Sequence, residues 1–206
     1  AYEIMPSLVG SEMCIRDSYN AVFNSPHLEF FKKNNIEVLL LTQRVDEWMI
    51  SHLANFDEKS FQDITKGELD LDELTGEEEK AAAETLAENN KSLVERIAAA
   101  LEGEVSKVRV TARLTDSPAC LVVGQNDMND SLRQMLAAAG QPVPEAESTL
   151  EVNPNHPLIA KMDTEQDEER FNDLAHVIYG QAQLAQGSQL DKPAEYVTKL
   201  NKLLQD

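Results

Sequence analysis

The sequence is poor in cysteine, aromatic residues and basic charge, and each shortage excludes something. Two cysteines, Cys14 and Cys120, cannot build a disulfide framework, which points to a reducing compartment and to folding on an apolar core. Eighteen basic side chains against 37 acidic ones leave a net charge of −19. A surface this negative repels phosphate backbones, so nucleic acid is not an expected partner. Apolar runs such as Val38 to Leu41 fall far short of the roughly 20 residues that cross a bilayer, so no membrane partner is expected. Aromatic residues make up only 5% of the chain, yet the hydrophobic fraction is 42%, which excludes wholesale disorder. At this length roughly 70% of the unfolded surface can be buried on folding, enough for a core without metals.

The acid is unevenly placed. Between Asp57 and Glu104 there are fifteen carboxylates and five basic residues, about half of the total excess. The densest part, Glu68 to Glu79, reads as a solvated connector rather than a packed element. It divides the chain into a short α/β piece at 21–66, an acidic linker at 67–80 and a longer α+β body at 81–206. Residues 1–20 fit neither part. They show no sustained period and no signal-peptide layout, and the string from Tyr2 to Ser18 looks like translated adapter sequence, a foreign join in which Cys14 carries no meaning.

In the α/β piece, Ser25-Pro26 supplies an N-cap followed by proline at the first helical position, opening a short helix through Lys33. Asn35 tolerates positive φ and can end it. Ile36 to Leu41 then reads as a strand covered on both faces. Thr42 can cap a further helix in which Val45, Trp48 or Met49, and Leu53 recur at helical spacing, and Phe61 to Ile64 is a second candidate strand. Such an αβαβ unit is too small to bury both faces of its own sheet.

The body opens with a helix from about Ala81 to Leu101, ended by Gly103. Val105 to Leu114 alternates, placing Val108, Val110, Ala112 and Leu114 on one side and Lys107, Arg109, Thr111 and Arg113 on the other. The turn residues Thr115 to Pro118 precede a second strand, Ala119 to Val123, and together these predict an antiparallel hairpin. Thr149 to Val152 reads as a third strand. Thus the fold class is α+β.

Two constellations stand out. A helix over about 127–139 carries Met128, Leu132, Met135 and Leu136 on one narrow stripe, which is either ordinary core or a binding face built on shape-tolerant methionine. Trp48, the single tryptophan, and its neighbour Met49 pose the same question. The second is a C-terminal helix pair. Phe171, Leu174 and Ile178 belong to an unusually broad apolar face on a helix of about 165–186, and Tyr196, Val197, Leu200, Leu203 and Leu204 to another on the last helix. Two such faces cannot cover each other completely, so either the hairpin or a second copy of the chain must complete the cover, the latter as a four-helix bundle.

Catalytic chemistry is not legible. No glycine-rich phosphate cradle occurs, and His27, His52, His156 and His176 lack metal-ligand spacing. A calcium-loop start at Asp163 fails because Glu168 stands where glycine is needed. Cys120, within a candidate strand, reads as a small buried hydrophobe. No catalytic residue and no metal ligand is assigned.

Five ordered segments carry a family pattern: Asn24 to Glu29, Ile36 to Leu41 with Val45 to Met49, Arg113 to Ala119, Ala137 to Gln141, and Glu151 to Leu158. From about Asn24 to its end the chain resembles the C-terminal portion of the bacterial heat-shock protein 90 chaperones of the HtpG type. Asn35 stands where glycine is commoner in that family. The resemblance implies that 24–66 is the end of a middle domain and 81–206 a C-terminal dimerisation domain. It implies client-protein contact by Trp48, Met49, Met128, Leu132, Met135 and Leu136. It also implies a homodimer closed by Phe171, Leu174, Ile178, Tyr196, Val197, Leu200, Leu203 and Leu204. The family's ATP and Mg site lies in domains other than these, so the fragment itself is not expected to be an enzyme or to hold a cofactor. A stress-response chaperone assisting protein folding in the bacterial cytoplasm is the implied setting. The rival is a structural dimerisation adaptor with no client surface.

Overall fold

A computed structural model describes residues 4–5, 23–41, 46, 49, 52–53, 55–56, 59–65, 85–124, 148–190 and 192–205. Among these the fold is mixed α+β, with a three-stranded sheet as the largest sheet.

In the first part, Ser25 caps a 3-10 turn at Pro26–Leu28, its hydroxyl accepting from the His27 amide, and α1 follows at Glu29–Lys33. Asn35 adopts φ 53°, the left-handed conformation that its position after α1 required. Ile36 to Leu41 is extended but makes only isolated bridges at Val38 and Leu41, and it is covered on one face rather than two. Ile36, Val38 and Leu40 pack on the cluster of Leu28, Phe30, Phe31 and Ile64, while Leu39 is 42% exposed. The expected doubly covered strand is therefore corrected: alternate residues reach the apolar cluster beside it, and Glu37 and Leu39 face outward. Residues Gln62–Asp63 do form a strand, β4, in parallel with β1 at Ile4–Met5, so the stretch before residue 20 contributes an unforeseen pairing. Between them β2 (Asn55–Phe56) and β3 (Lys59–Ser60) make a small antiparallel pair.

In the body, residues 85–89 are helical and a turn at Asn90 breaks the single helix expected there; α2 follows at Lys91–Ala100, buries Leu93 and Ile97 and is closed at Gly103, whose φ of +85° a side chain would strain. Strands β5 (Lys107–Val110), β6 (Ala119–Val123) and β7 (Ser148–Val152) follow, then α3 (Pro157–Asp163), α4 (Glu168–Ala185) and α5 (Pro193–Gln205). The sheet order is β5-β7-β6, with β7 parallel to β5 and antiparallel to β6. The predicted hairpin between the first two strands is thus overturned. Strand β7, whose Leu150, Glu151 and Val152 are all buried and find partners on both sides, takes the centre, whereas β5 begins with the exposed Lys107 that suits an edge. Strand β5 is also shorter than its alternation suggested. Beyond Val110, the Thr111 amide still bonds Val152 O, but the Thr111 hydroxyl accepts from the Arg113 amide, and this local turn reverses the pattern so that Thr111 is buried and Ala112 exposed.

One sheet face, carrying Val108, Ala119, Leu121, Leu150 and Val152, packs with α2, α3 and α4 into the main core. The other face bears a row across all three strands, Arg109 opposite Glu151 opposite Cys120, with Val122 and Leu114 beside it.

Candidate dimerisation face

Helix α4 starts where Asp167 accepts hydrogen bonds from the Glu169 and Arg170 amides, two residues after the acidic start that the sequence suggested. Its inner face enters the main core: Phe171, Leu174 and Ile178 are buried within a single chain, against α2 and the sheet. Arg96 stacks over the Phe171 ring at 3.9 Å and reaches Glu168 at 3.1 Å, closing the edge. For these three expected interface residues, cover comes from the protomer itself and does not require a second copy.

Helix α5 is placed differently. It runs back along α4, with the Tyr196 ring laid over Gly180 so closely that a Cβ at Gly180 would stand 2.6 Å from Tyr196 Cδ2. Asp173 of α4 is paired by Lys199 and Lys202, each at 3.0 Å, and Lys202 also reaches Glu169 at 2.6 Å. Burial pushes the Asp173 carboxyl up, but the hydrogen bonds from Lys202 and Lys199 outweigh it and hold the pKa below its ordinary value. Glu169 and Asp173 in turn raise that of Lys202. Tyr196, Lys199 and Leu203 thus form the stripe that meets α4, and Leu203 touches the main core. On the adjacent stripe Val197 and Leu204 are left without such cover and Leu200 is half-buried. Val197 is 51% and Leu204 75% exposed, and no residue of α5 is fully buried. Leu184, 49% exposed, prolongs the α4 stripe of Asp173 and Gly180 toward the start of α5.

Of the expected client-contact residues, Met49 is described and is 44% exposed. Trp48, Met128, Leu132, Met135 and Leu136 lie outside the described residues. No group of three or more metal-ligating side chains occurs among the described residues, and no described helix is long and apolar enough to cross a membrane.

Sequence reasoning missed the polar row on the second sheet face. Glu151, 2% exposed, accepts from Arg109 Nε at 2.9 Å and from Arg113 Nε at 3.2 Å. Burial raises its pKa, but the two guanidinium groups dominate and keep it ionised below the usual range. Burial beside that carboxylate pushes the Cys120 thiol well up, leaving it protonated. The signal was present: Arg109 and Arg113 fall on one side of the alternating stretch in the sequence, and a single carboxylate between the apolar Leu150 and Val152 demands partners if it is buried.

The model of the Hsp90 protein family matches residues 14–206. The chain belongs to the Hsp90 family. An Hsp90-family chain is a chaperone, and the match embraces both the segment around α1 and the body with its helix pair.

Proposed function

We propose that this Hsp90-family chain is a homodimerisation and client-contact region, closing a dimer through α5. One observation carries the reading. Helix α5 sets one stripe on α4 and leaves Val197 and Leu204 on the next open to water, with Leu200 between them only half-buried. The isologous solution sets that stripe against its own copy, as in a four-helix bundle made by two helix pairs. Removing such apolar surface from water yields about 25 cal/mol per Å² before the costs of association. The client surface is assigned to Trp48, Met49, Met128, Leu132, Met135 and Leu136, because flexible methionines and a large aromatic can accept unlike apolar partners. The protein around this region is a bacterial, cytoplasmic chaperone of the HtpG type, with the ATP and Mg site on parts other than the residues described above. Holding two arms together raises their effective concentration, so closure driven by nucleotide becomes intramolecular.

The test is sedimentation of the 206-residue chain and of the double variant Val197→Asp, Leu204→Asp. The chain should sediment at twice its 22.9 kDa, and the variant as a folded monomer. Buried carboxylates without partners cost several kcal/mol each at an interface. A monomeric parent chain at micromolar concentration refutes the dimer. Serine at Trp48 and Met135 should weaken suppression of client aggregation and leave the mass unchanged; loss of both together would show these residues to be core.

A further inference from the structure

Two of the sequence segments that carry the family pattern, Asn24 to Glu29 and Arg113 to Ala119, play no part in the dimer face, yet they meet. Glu29 Oε2 accepts from the backbone amides of Thr115 at 2.6 Å, Asp116 at 2.9 Å and Ser117 at 3.3 Å, while Oε1 accepts from the Ser117 hydroxyl at 2.5 Å. Three successive amides converging on one oxygen form an anion nest, filled here by a side chain 86 to 88 residues away. Each half is rigid on its own side. The turn is held from behind by the buried Asn153, whose amide bonds Pro118 O at 2.8 Å and whose side chain bonds Leu114 O at 3.2 Å. Glu29 starts α1, fixed by the Ser25 cap and by Phe30 and Phe31 in their own cluster.

The seam between the halves is polar. Leu28, Phe30, Phe31 and Ile64 form one apolar cluster, and the sheet's two faces belong to others. Across the seam run the Glu29 bonds, the Val123 amide to Thr65 O at 3.3 Å, and the contact of Gln186 Nε2 with His27 Nε2 at 3.5 Å. His27 is buried there, with Nε2 beside Gln186 and Nδ1 unpartnered, so its ring can hold the seam only weakly against the cost of burial. Among the described residues no buried apolar cluster spans the seam, so it leans on its charge-assisted contact at Glu29.

We propose that Glu29 is a reversible latch, locking the 23–41 segment onto the sheet body and so setting the hinge between the part that precedes the body and the dimer helices. This rests on reading 24–66 and 81–206 as separate units, and not on the dimer. The experiment is amide hydrogen exchange on the whole chain, comparing Glu29→Gln and Glu29→Ala with the parent. Exchange at Thr115, Asp116, Ser117 and at Val123, which reports the seam at a distance from Glu29, should accelerate by about tenfold or more in Glu29→Ala and by less in Glu29→Gln. Ile36 within the first unit and Leu150 in the central strand should keep the parent rates. Acceleration confined to 115–117 would reduce Glu29 to a local cap, and equal acceleration at Leu150 would make it part of the global fold; either overturns the latch. The association state, measured in parallel, should match the parent's. A monomeric parent would refute the dimer and leave the exchange comparison intact, whereas dissociation caused by Glu29→Ala would refute the latch.

Discussion

Gly180→Ala tests the packing of α5 on α4. In an exposed helix interior this change is favourable by about 1 kcal/mol, because alanine restricts the unfolded backbone. Here the new methyl would stand 2.6 Å from Tyr196 Cδ2 and 2.8 Å from Cε2, with Leu190 Cδ2 at 3.4 Å. Carbon atoms in contact sit about 3.5–4.0 Å apart, so the ring must retreat by roughly an ångström. Overpacking of this size costs typically about 1–3 kcal/mol, which exceeds the propensity gain. The net expectation is a loss of about 1 kcal/mol, read from urea unfolding at fixed protomer concentration, since dimerisation adds stability by mass action. The strain should fall on α5, which has no fully buried residue to anchor it, so its amides should lose protection while those of α4 keep theirs. A double-mutant cycle isolates the contact: in a Tyr196→Ala background, Gly180→Ala should become stabilising by about 1 kcal/mol. If Gly180→Ala already stabilises the parent chain, the ring moves freely and the close approach carries no constraint.

Two further perturbations act on the opposite side of the sheet. Glu151→Ala leaves two guanidinium groups at a buried site without their shared carboxylate and should destabilise by about 3–5 kcal/mol, with Glu151→Leu in an Arg109→Met, Arg113→Met background recovering much of the loss in chemical denaturation. His27 is held at about pKa 4 chiefly by burial and then by Arg113, against an ordinary 6.5, so above pH 6.5 it is neutral whether folded or not and contributes no slope. Between pH 6.5 and 4 the unfolded chain binds the proton first, and stability should fall by roughly 3 kcal/mol across that window. Glu29, Glu151 and Asp173 all have lowered values and act in the same direction only at the acidic end, where carboxylates protonate. His27→Leu should therefore flatten the slope from pH 6.5 to about 5, and an unaltered slope would show the ring to be solvated.

Local chemistry was readable in the sequence wherever a single residue decides a backbone state. The Ser25-Pro26 start, the positive φ of Asn35 and the stop at Gly103 all follow from sterics and one hydrogen bond each. Pairing was not readable, because the alternation of β5 and β6 says which faces are apolar and nothing about which strand lies between them. The insertion of β7 depends on Glu151 meeting Arg109, two residues far apart in the chain. The same limit governed Arg113, expected on the solvated side of a long strand: a turn at Thr111 and a buried carboxylate bring it inward instead. The breadth of the apolar face on α4 was correct, but periodicity cannot say whether a broad face is hidden by the chain's own sheet or by a second molecule.

That partition changes what the dimer does for the fold. Because α4 is anchored in the main core through Phe171, Leu174 and Ile178, it needs no partner to be stable. Helix α5, with 13 residues, is near the length at which an isolated helix is marginal in water. Its ties to α4 are a ring on a glycine, a leucine at the core's edge, the pairing of Lys199 and Lys202 with the buried Asp173, and an exposed Lys202–Glu169 pair that contributes little. Covering Val197, Leu200 and Leu204 would supply the apolar burial that the single chain denies this helix. Association and the order of α5 should consequently be one equilibrium: dilution below the dissociation constant should lower helicity and expose the α5 amides together, while the sheet and α4 remain protected. A chain whose α5 stays fully protected as a dilute monomer would show that the docking contacts on α4 suffice, and the open stripe would then need another explanation than a second copy.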